Sequence, residues 1–277
     1  MKKAAVIILF LLCSLTFTNL YADTPPGHIA ISPPFFELSL GSKPINESIR
    51  MVNLKKEPIK VKVEVYNWTM DEKNEVKVIP GTSQSLEQWM LINPLSFTVE
   101  PAGTQIIRFS IRPRTKPDPG EHHAMIFLTE QLPDSLETKK NAIKVLFRYG
   151  MAVYADTDPV KKSSTLASLT CDKGASMLKA EISNTGNIRT RLKGNYTIWK
   201  AGTFPGFKAM TDYINKPKTE KKPDGLLDSG ALNSAPVLAG QRRTVITPIG
   251  TRDNKAGNFV VAVKGMLDDK PVEKLFP

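Results

Sequence analysis

The stretch from Asn141 to Asp156 constrains the fold of this chain more than any other part of the sequence. Every second residue in it is apolar, namely Ile143, Val145, Phe147, Tyr149, Met151 and Val153. This two-residue period predicts a β-strand with one face to bury. The opposite face mixes charged and apolar side chains, and the stretch is longer than an ordinary strand of about five or six residues. We therefore expect the strand both to complete a sheet of its own domain and to lend its edge to another chain.

The residues before this stretch indicate short strands and no helical period. The clearest strand, Ile59–Trp68, alternates apolar with polar residues, as a strand with one buried and one solvent-exposed face does. Another extended segment, His28–Leu40, is interrupted by Pro33 and Pro34, which cannot donate hydrogen bonds to a sheet. Such a break lets a strand pass from one sheet to the other. About seven short strands, with turn signals about every ten residues, predict a β-sandwich.

The pattern starts again from about Thr157, after a polar linker. Strands are indicated at Met177–Ser183, Leu192–Trp199 and Phe259–Met266, with a weaker core signal than in the first half. Between them, Lys208–Leu227 contains the run KPKTEKKPDG and is predicted to be a loop with little to bury. The second half is therefore expected to form a smaller β-sandwich.

The first residues, 1–22, have the order of a secretory signal peptide. Two lysines precede an apolar run, and the small Ala22 precedes a polar residue. The run is too short for a comfortable membrane span of about 20 residues. We expect cleavage after Ala22, while Leu20, three residues before the cleavage point, leaves an uncleaved anchor open. The mature chain is then an exported, all-β protein of two β-sandwich domains, at residues 23–156 and 157–277, with no permanent membrane span.

Charge and cysteine content narrow the classes of partner. Without the two lysines of the signal peptide, the formal net charge falls from +11 to +9. This excess favours either solubility alone or an acidic partner, such as a protein subunit or an anionic surface polymer. Nucleic acid is not expected, because the chain is exported and its basic residues are scattered. Cys13 leaves with the signal peptide, so Cys171 has no partner for an internal disulfide.

The sequence offers no catalytic or cofactor motif. It contains no GxSxG nucleophile motif, no GxGxxG dinucleotide motif and no phosphate-binding P-loop. The adjacent His122 and His123 lie in a predicted strand beside Glu121, where neighbouring side chains point to opposite faces and do not easily share a metal. We expect no enzymatic activity, no cofactor, no metal site and no small-molecule substrate.

Four segments of the first half carry a resemblance to a known family. They read ISPPFFELSL, NPLSFTVEPAGTQIIRFSIRP, PGEHHAMIFLTE and FRYGMAVYAD. Together they resemble the periplasmic pilus (fimbrial) assembly chaperones of the chaperone/usher class. The resemblance covers Ile29–Asp156, and in the second half it depends on layout and on the turn SNTGN. It implies two immunoglobulin-like (Ig-like) domains in a boomerang arrangement, located in the periplasm, that bind pilus subunits and pass them to an outer-membrane usher.

The resemblance also implies a mechanism. A pilus subunit of this class is similar to an Ig fold that lacks its last strand, and the chaperone supplies one by donor-strand complementation. The strand 141–153 has the required form. Its groove-filling residues would be Ile143, Val145 and Phe147, with Tyr149 as a further candidate. The alternative is that these residues line the core of their own domain.

One departure from the family concerns the anchor for the carboxylate of the subunit. The family uses an arginine on the first strand and a lysine on the last. The corresponding positions here are about Phe35 and about Gly150 or Ala152, and none of them is basic. Arg148 is the nearest cation and could bond a carboxylate, the alternative being an arginine that faces solvent. The departure indicates a divergent branch of the family.

A second function class stays open at this point. An exported Ig-like structural or adhesive protein could bind a surface polymer or another protein through its loops, with the basic region Lys216–Lys222 contributing. The two hypotheses differ in the strand 141–153. A chaperone needs that edge open, whereas an adhesive protein needs it covered.

Overall fold

The computed structural model describes residues 29–71, 74–132, 146–216, 222–250 and 258–277. Within these residues the secondary structure consists of β-strands, one 3-10 helix (Leu86–Trp89) and one α-helix, α1 (Phe207–Ile214). The strands are β1 (Ile29–Ser32), β2 (Phe36–Ser39), β3 (Ile45–Asn53), β4 (Ile59–Tyr66), β5 (Trp68–Met70), β6 (Val76–Val78), β7 (Met90–Asn93), β8 (Ser96–Val99), β9 (Thr104–Ile111), β10 (Gly120–Gln131), β11 (Arg148–Thr157), β12 (Ser164–Asp172), β13 (Met177–Asn184), β14 (Leu192–Lys200), β15 (Leu226–Ala231), β16 (Arg242–Pro248), β17 (Phe259–Leu267) and β18 (Lys270–Phe276). The predicted all-β class is confirmed.

Nine of the first eleven strands build a first sandwich. One sheet has the strand order β1-β3-β9-β7, and the other has the order β2-β11-β10-β4-β8. The strands β5 and β6 form a separate two-stranded hairpin. Side chains at alternate positions of both sheets meet between them, and Ile49, Ile107, Ile126 and Val153 have no exposed surface. This is the packing expected of two half-buried sheets.

The remaining strands build a second sandwich. Its sheets have the orders β12-β13-β16 and β15-β14-β17-β18. Its core contains Ile182, Ile198, Val261 and Val263, again without exposed surface. The two predicted sandwiches are thus present, while the predicted boundary between residues 156 and 157 stays a prediction.

The proline pair acts on the first strand as the sequence predicts. The chain before it, β1, pairs with β3 in one sheet, and the chain after it, β2, pairs in parallel with β11 in the other. Because Pro33 and Pro34 offer no N–H groups, neither sheet can carry the strand through unbroken. The predicted change of sheet is confirmed.

Two other sequence predictions have clear outcomes. The alternation in Ile59–Trp68 is confirmed, since Ile59, Val61 and Val63 are buried in the first core. The prediction of a loop over Lys208–Leu227 is wrong in its first part, where helix α1 buries Met210 completely. The basic, proline-rich run that follows α1 dominated the composition of the segment and concealed the short helix.

No helix within the described ranges combines the length and the apolar character needed to cross a membrane.

Candidate functional site

Strand β11 lies between two neighbours of unequal length. It pairs with β10 along its whole course, from Arg148 opposite Thr129 to Thr157 opposite Gly120. On its other side β2 pairs only with Val153–Asp156. Among the residues that the structure describes, no strand pairs with the outer side of Arg148–Ala152. We call this five-residue stretch the open edge.

The backbone groups of the open edge can be assigned from two hydrogen bonds. The carbonyl of Phe147 accepts from the Glu130 N–H at 2.8 Å, so Phe147 bonds to β10. The carbonyl of Asp156 accepts from the Leu40 N–H at 2.8 Å, so Asp156 faces the other way. Successive residues of an antiparallel ladder alternate between these two directions. The residues in phase with Asp156 that lie in the open edge therefore direct their N–H and C=O groups outward, namely Arg148, Gly150 and Ala152.

The side chains on the core face of β11 differ along the strand. Met151 and Val153 are buried in the first core. Tyr149 lies beyond it and is 37% exposed. Phe147 is half-buried and lines a narrow gap at the end of the same core, beside Ile29. Phe147 thus already contacts its own domain, whereas Tyr149 is available to a partner.

Two of the predicted groove-filling residues, Ile143 and Val145, lie outside the described residues. The structure brings Phe147 and Tyr149 close together, with their ring centroids 6.3 Å apart. Their donor role stays a prediction.

The opposite face of the open edge carries the predicted anchor residue. The guanidinium of Arg148 lies 3.9 Å from the ring centroid of Phe127, a cation–π contact that orients an otherwise exposed side chain. Gly150 lies next to it, and a Cβ at that position would come within 3.1 Å of both Met125 Sδ and the Phe127 ring. The missing side chain lets Phe127 and Met125 lie across the strand. The anchor role of Arg148 stays a prediction.

Several other edge strands of the molecule are short or carry residues that prevent pairing. The edge strands β1, β2, β7 and β8 have four residues each. Edge strand β18 carries Lys270, Pro271 and Lys274, and Lys274 reaches across to donate to the carbonyl of Leu169 in β12 at 2.9 Å. Short edges, prolines and lysines are the usual means of preventing unwanted pairing. The open edge belongs instead to a strand of ten residues.

A buried ion cluster lies where the second sandwich meets the first. Arg189 contacts three carboxylates of the first sandwich, Glu37 at 3.0 Å, Glu121 at 3.1 Å and Asp156 at 2.9 Å. Its backbone N–H also donates to Glu121 at 2.8 Å. The side chains of Arg189 and Glu121 are 9% and 1% exposed, so these charges are largely removed from water. Arg189 joins strands β2, β10 and β11 to the second sandwich.

Burial and charge act in opposite directions on the groups of this cluster. Burial alone would raise the pKa of Glu121, but the hydrogen bond from His123 and the charges of His123 and Arg189 hold that pKa below its usual value. For Asp156 burial prevails, and its pKa is raised although Arg189 opposes the shift. Burial likewise raises the pKa of Tyr154, whose ring lies under Arg189, to about 12.

A second cation of the second sandwich lies nearer to the open edge. The guanidinium of Arg191 is 5.4 Å from the ring centroid of Phe35, which is 46% exposed and immediately precedes β2. It also lies 3.4 Å from Glu37. Arg189 and Arg191 were not predicted from the sequence, because they are more than thirty residues from β11 in the chain. The two arginines lie two residues apart just after the turn SNTGN, and this spacing is the feature of the sequence that could have indicated them.

The adjacent histidines point in opposite directions, as expected of neighbours in a strand. The ring nitrogens of His122 contact the carbonyls of Gln84 at 2.7 Å and Asp118 at 2.9 Å. Those of His123 contact Glu121 and the Trp68 carbonyl, both at 2.9 Å. Each ring is engaged by its own set of partners, so the pair does not converge on one site.

Comparisons with known proteins complete the description. No protein-family model matches the sequence, and a comparison with curated proteins finds no match. The chain is similar to the solved structure of the class 5 fimbriae chaperone CfaA, with 15% identity, coverage of 89% of this chain and 98% of that chain, and a TM-score of 0.44. It is also similar to a chain of the CsuC–CsuE chaperone–tip adhesion subunit complex from Csu pili of Acinetobacter baumannii, with 13% identity, coverage of 90% and 97%, and a TM-score of 0.45. A third similar structure is the Salmonella enterica SafA pilin in complex with the SafB chaperone, with 13% identity, coverage of 90% and 96%, and a TM-score of 0.43.

Proposed function

We propose that this protein is a periplasmic chaperone that binds pilus (fimbrial) subunits by donor-strand complementation and delivers them to an outer-membrane usher for assembly. The observation that carries the proposal is the open edge of β11. There Arg148, Gly150 and Ala152 direct backbone donors and acceptors outward, and the exposed Tyr149 lies beside them. A partner that lacks a strand can satisfy these groups by adding its own edge.

The expected binding free energy suits a transient complex. Each apolar side chain that enters the groove of the client contributes roughly 1.5–3 kcal/mol, before the cost of ordering is subtracted. The proposed groove-filling residues are Ile143, Val145, Phe147 and Tyr149. Part of the Phe147 surface is already buried against its own core, so its gain on binding is smaller than that of a fully exposed residue. Main-chain hydrogen bonds at the open edge then fix the direction and register of the client.

Arg148 is our proposed contact for a carboxylate of the client. Its side chain is exposed at the beginning of β11 and is oriented by the Phe127 ring. A guanidinium can donate two parallel hydrogen bonds to a carboxylate, which adds direction as well as attraction. This contact is separable from strand addition, since the first uses the side chain of Arg148 and the second uses its backbone.

Two substitutions at one position separate these contributions. Arg148→Pro removes the outward N–H together with the side chain, and leaves the bonds that Phe147 and Tyr149 make to β10. Arg148→Ala removes the guanidinium alone. Tagged mature wild type and both variants are used to capture subunits from periplasm, and circular dichroism checks that each variant is folded.

We expect a small subunit to co-purify with wild type, to be lost with folded Arg148→Pro, and to be reduced with Arg148→Ala. If Arg148→Ala captures as much subunit as wild type and Arg148→Pro captures none, the hypothesis of strand addition stands and the carboxylate contact is rejected. Equal capture by wild type and Arg148→Pro would overturn strand addition at this edge and favour the adhesive alternative. Arg242→Ala, at an exposed arginine of the second sandwich, is the control for a general effect of lost positive charge.

A further inference from the structure

The β5–β6 hairpin is an unusual part of the first sandwich. Its two strands pair only with each other, Trp68 opposite Val78 and Met70 opposite Val76. A two-stranded hairpin is marginally stable in water when nothing else supports it. Its base is held by Trp68, which is 1% exposed and packs with Tyr154 of β11 and Leu238 of the second sandwich. The hairpin is therefore anchored at the place where the two sandwiches meet.

The turn of the hairpin contacts the second sandwich through the side chain of Asn74. Asn74 has a φ of 67°, in the left-handed region that asparagine tolerates better than most residues. Its Oδ1 accepts hydrogen bonds from Nε and Nη2 of Arg243, at 2.8 Å and 2.6 Å. Its Nδ2 donates to the Thr244 carbonyl at 3.0 Å. Both polar atoms of the amide are thus used on the neighbouring sandwich.

Arg243 depends on this contact more than an exposed arginine would. It is 4% exposed, and its hydrogen-bond partners in the described part of the chain are neutral, the Asn74 side chain and the Pro236 carbonyl. Burial lowers the pKa of Arg243, although the nearby Tyr154 and Asp71 oppose the shift. A buried guanidinium that loses its acceptors incurs a large desolvation cost, so Arg243 favours the docked position of the hairpin.

A second contact supports the same docking. Gln241 Nε2 of the second sandwich donates to Thr69 Oγ1 of β5 at 2.8 Å. Together, Asn74 in the turn and Thr69 in strand β5 attach the hairpin to the short segment that leads into and begins β16. None of these groups takes part in the ion cluster around Arg189, which joins the sandwiches elsewhere through β2, β10 and β11.

We propose that the β5–β6 hairpin is a latch that fixes the orientation of the second sandwich, with Asn74 and Arg243 as the positioning residues. The latch acts in the free protein and does not depend on the proposed chaperone function. Two separate attachments, the latch and the Arg189 cluster, prevent rotation about either one. Release of the latch leaves the sandwiches joined but free to change their angle, so Arg191 no longer has a fixed position relative to the open edge.

The test measures the distance between the sandwiches. Spin labels are placed at Arg50→Cys and Lys270→Cys in a Cys171→Ser background, and their distance distribution is recorded by double electron–electron resonance. Asn74→Gly keeps the left-handed backbone and removes the contact. Asn74→Asp keeps an acceptor for Arg243 and tolerates the same φ. We expect a broadened distribution for Asn74→Gly and a narrow one, as in wild type, for Asn74→Asp.

The matched control is Asn233→Gly, because the hydrogen bonds of Asn233 to described residues stay within the second sandwich, at Ala235, Ile246 and Thr247. It is expected to leave the distribution unchanged. Circular dichroism verifies folding, and Gln241→Ala tests the second contact of the latch without altering the hairpin turn. If Asn74→Gly and Gln241→Ala both keep the narrow distribution of wild type, the latch does not exist. Since no client is needed, this result stands apart from the outcome of the capture experiment.

Discussion

At the scale of single residues, Arg189 has the largest structural role that the sequence did not reveal. One guanidinium serves carboxylates from three strands of the other sandwich, Glu37, Glu121 and Asp156. Each partner is far from Arg189 in sequence, so no local period or motif connects them. Charged residues are usually solvated, and composition alone favours that interpretation of an arginine in a basic chain. Burial of the cluster becomes visible only when the two sandwiches are placed together.

Substitution of Arg189 tests this role. Arg189→Met should destabilise the protein by about 3–5 kcal/mol, because it removes the guanidinium from the partly buried Asp156 and from the buried Glu121, which is left with His123 as its ion-pair partner. The free energy of unfolding by urea at neutral pH measures the effect. The matched control is Arg242→Met, which removes an ion pair with Glu181 whose arginine side chain is 64% exposed. That loss should stay below about 1 kcal/mol, and similar losses for the two variants would contradict the assignment.

At the scale of elements, the sequence predicted the character of β11 but not its surroundings. Alternation correctly placed Met151 and Val153 on the core face, since a two-residue period has only two phases. The same alternation cannot tell which neighbour a strand has, or how far that neighbour extends. The open edge exists because β2 is short, and its length is set by the change of sheet at Pro33 and Pro34. The proline break could be predicted from the sequence, but the register of β2 against β11 could not.

Amide exchange tests the assignment of the open edge without any partner. In the free protein the amides of Arg148, Gly150 and Ala152 should exchange faster with deuterium than those of Tyr149 and Met151, which are bonded to β10. Two-dimensional NMR spectra recorded after transfer to heavy water measure the difference, since local protection follows hydrogen bonding. Equal protection of both sets would mean that another segment covers the edge. A bound client should slow the first set and leave the second unchanged.

At the scale of the whole molecule, charge is unevenly distributed between the two halves. Residues 157–277 contain 20 Lys and Arg against 11 Asp and Glu, whereas residues 23–156 contain 16 of each. The net charge of +9 expected for the mature chain therefore belongs to the second half. An acidic partner, which composition leaves as the alternative to solubility alone, would accordingly be attracted by that half.

Ionic strength tests this assignment. The association rate of the captured subunit should fall as salt is raised from about 0.05 M to about 0.5 M, because screening shortens the reach of the positive field. Stopped-flow mixing or surface plasmon resonance measures the rate, and the dissociation rate should change much less. An association rate independent of salt would leave solubility as the role of the net charge.

The change of sheet at Pro33 and Pro34 determines how much of the outer side of β11 is covered by β2. Phe36 pairs in parallel with Val153, so a β2 extended backward would place its preceding residues opposite Ala152, Met151 and Gly150. Those residues are Phe35 and the two prolines, and the prolines instead send the chain to the other sheet. Pro33 and Pro34 thus keep this part of the chain away from the outer side of Arg148–Ala152. The open edge of β11 is therefore determined by residues that lie more than a hundred positions earlier in the sequence.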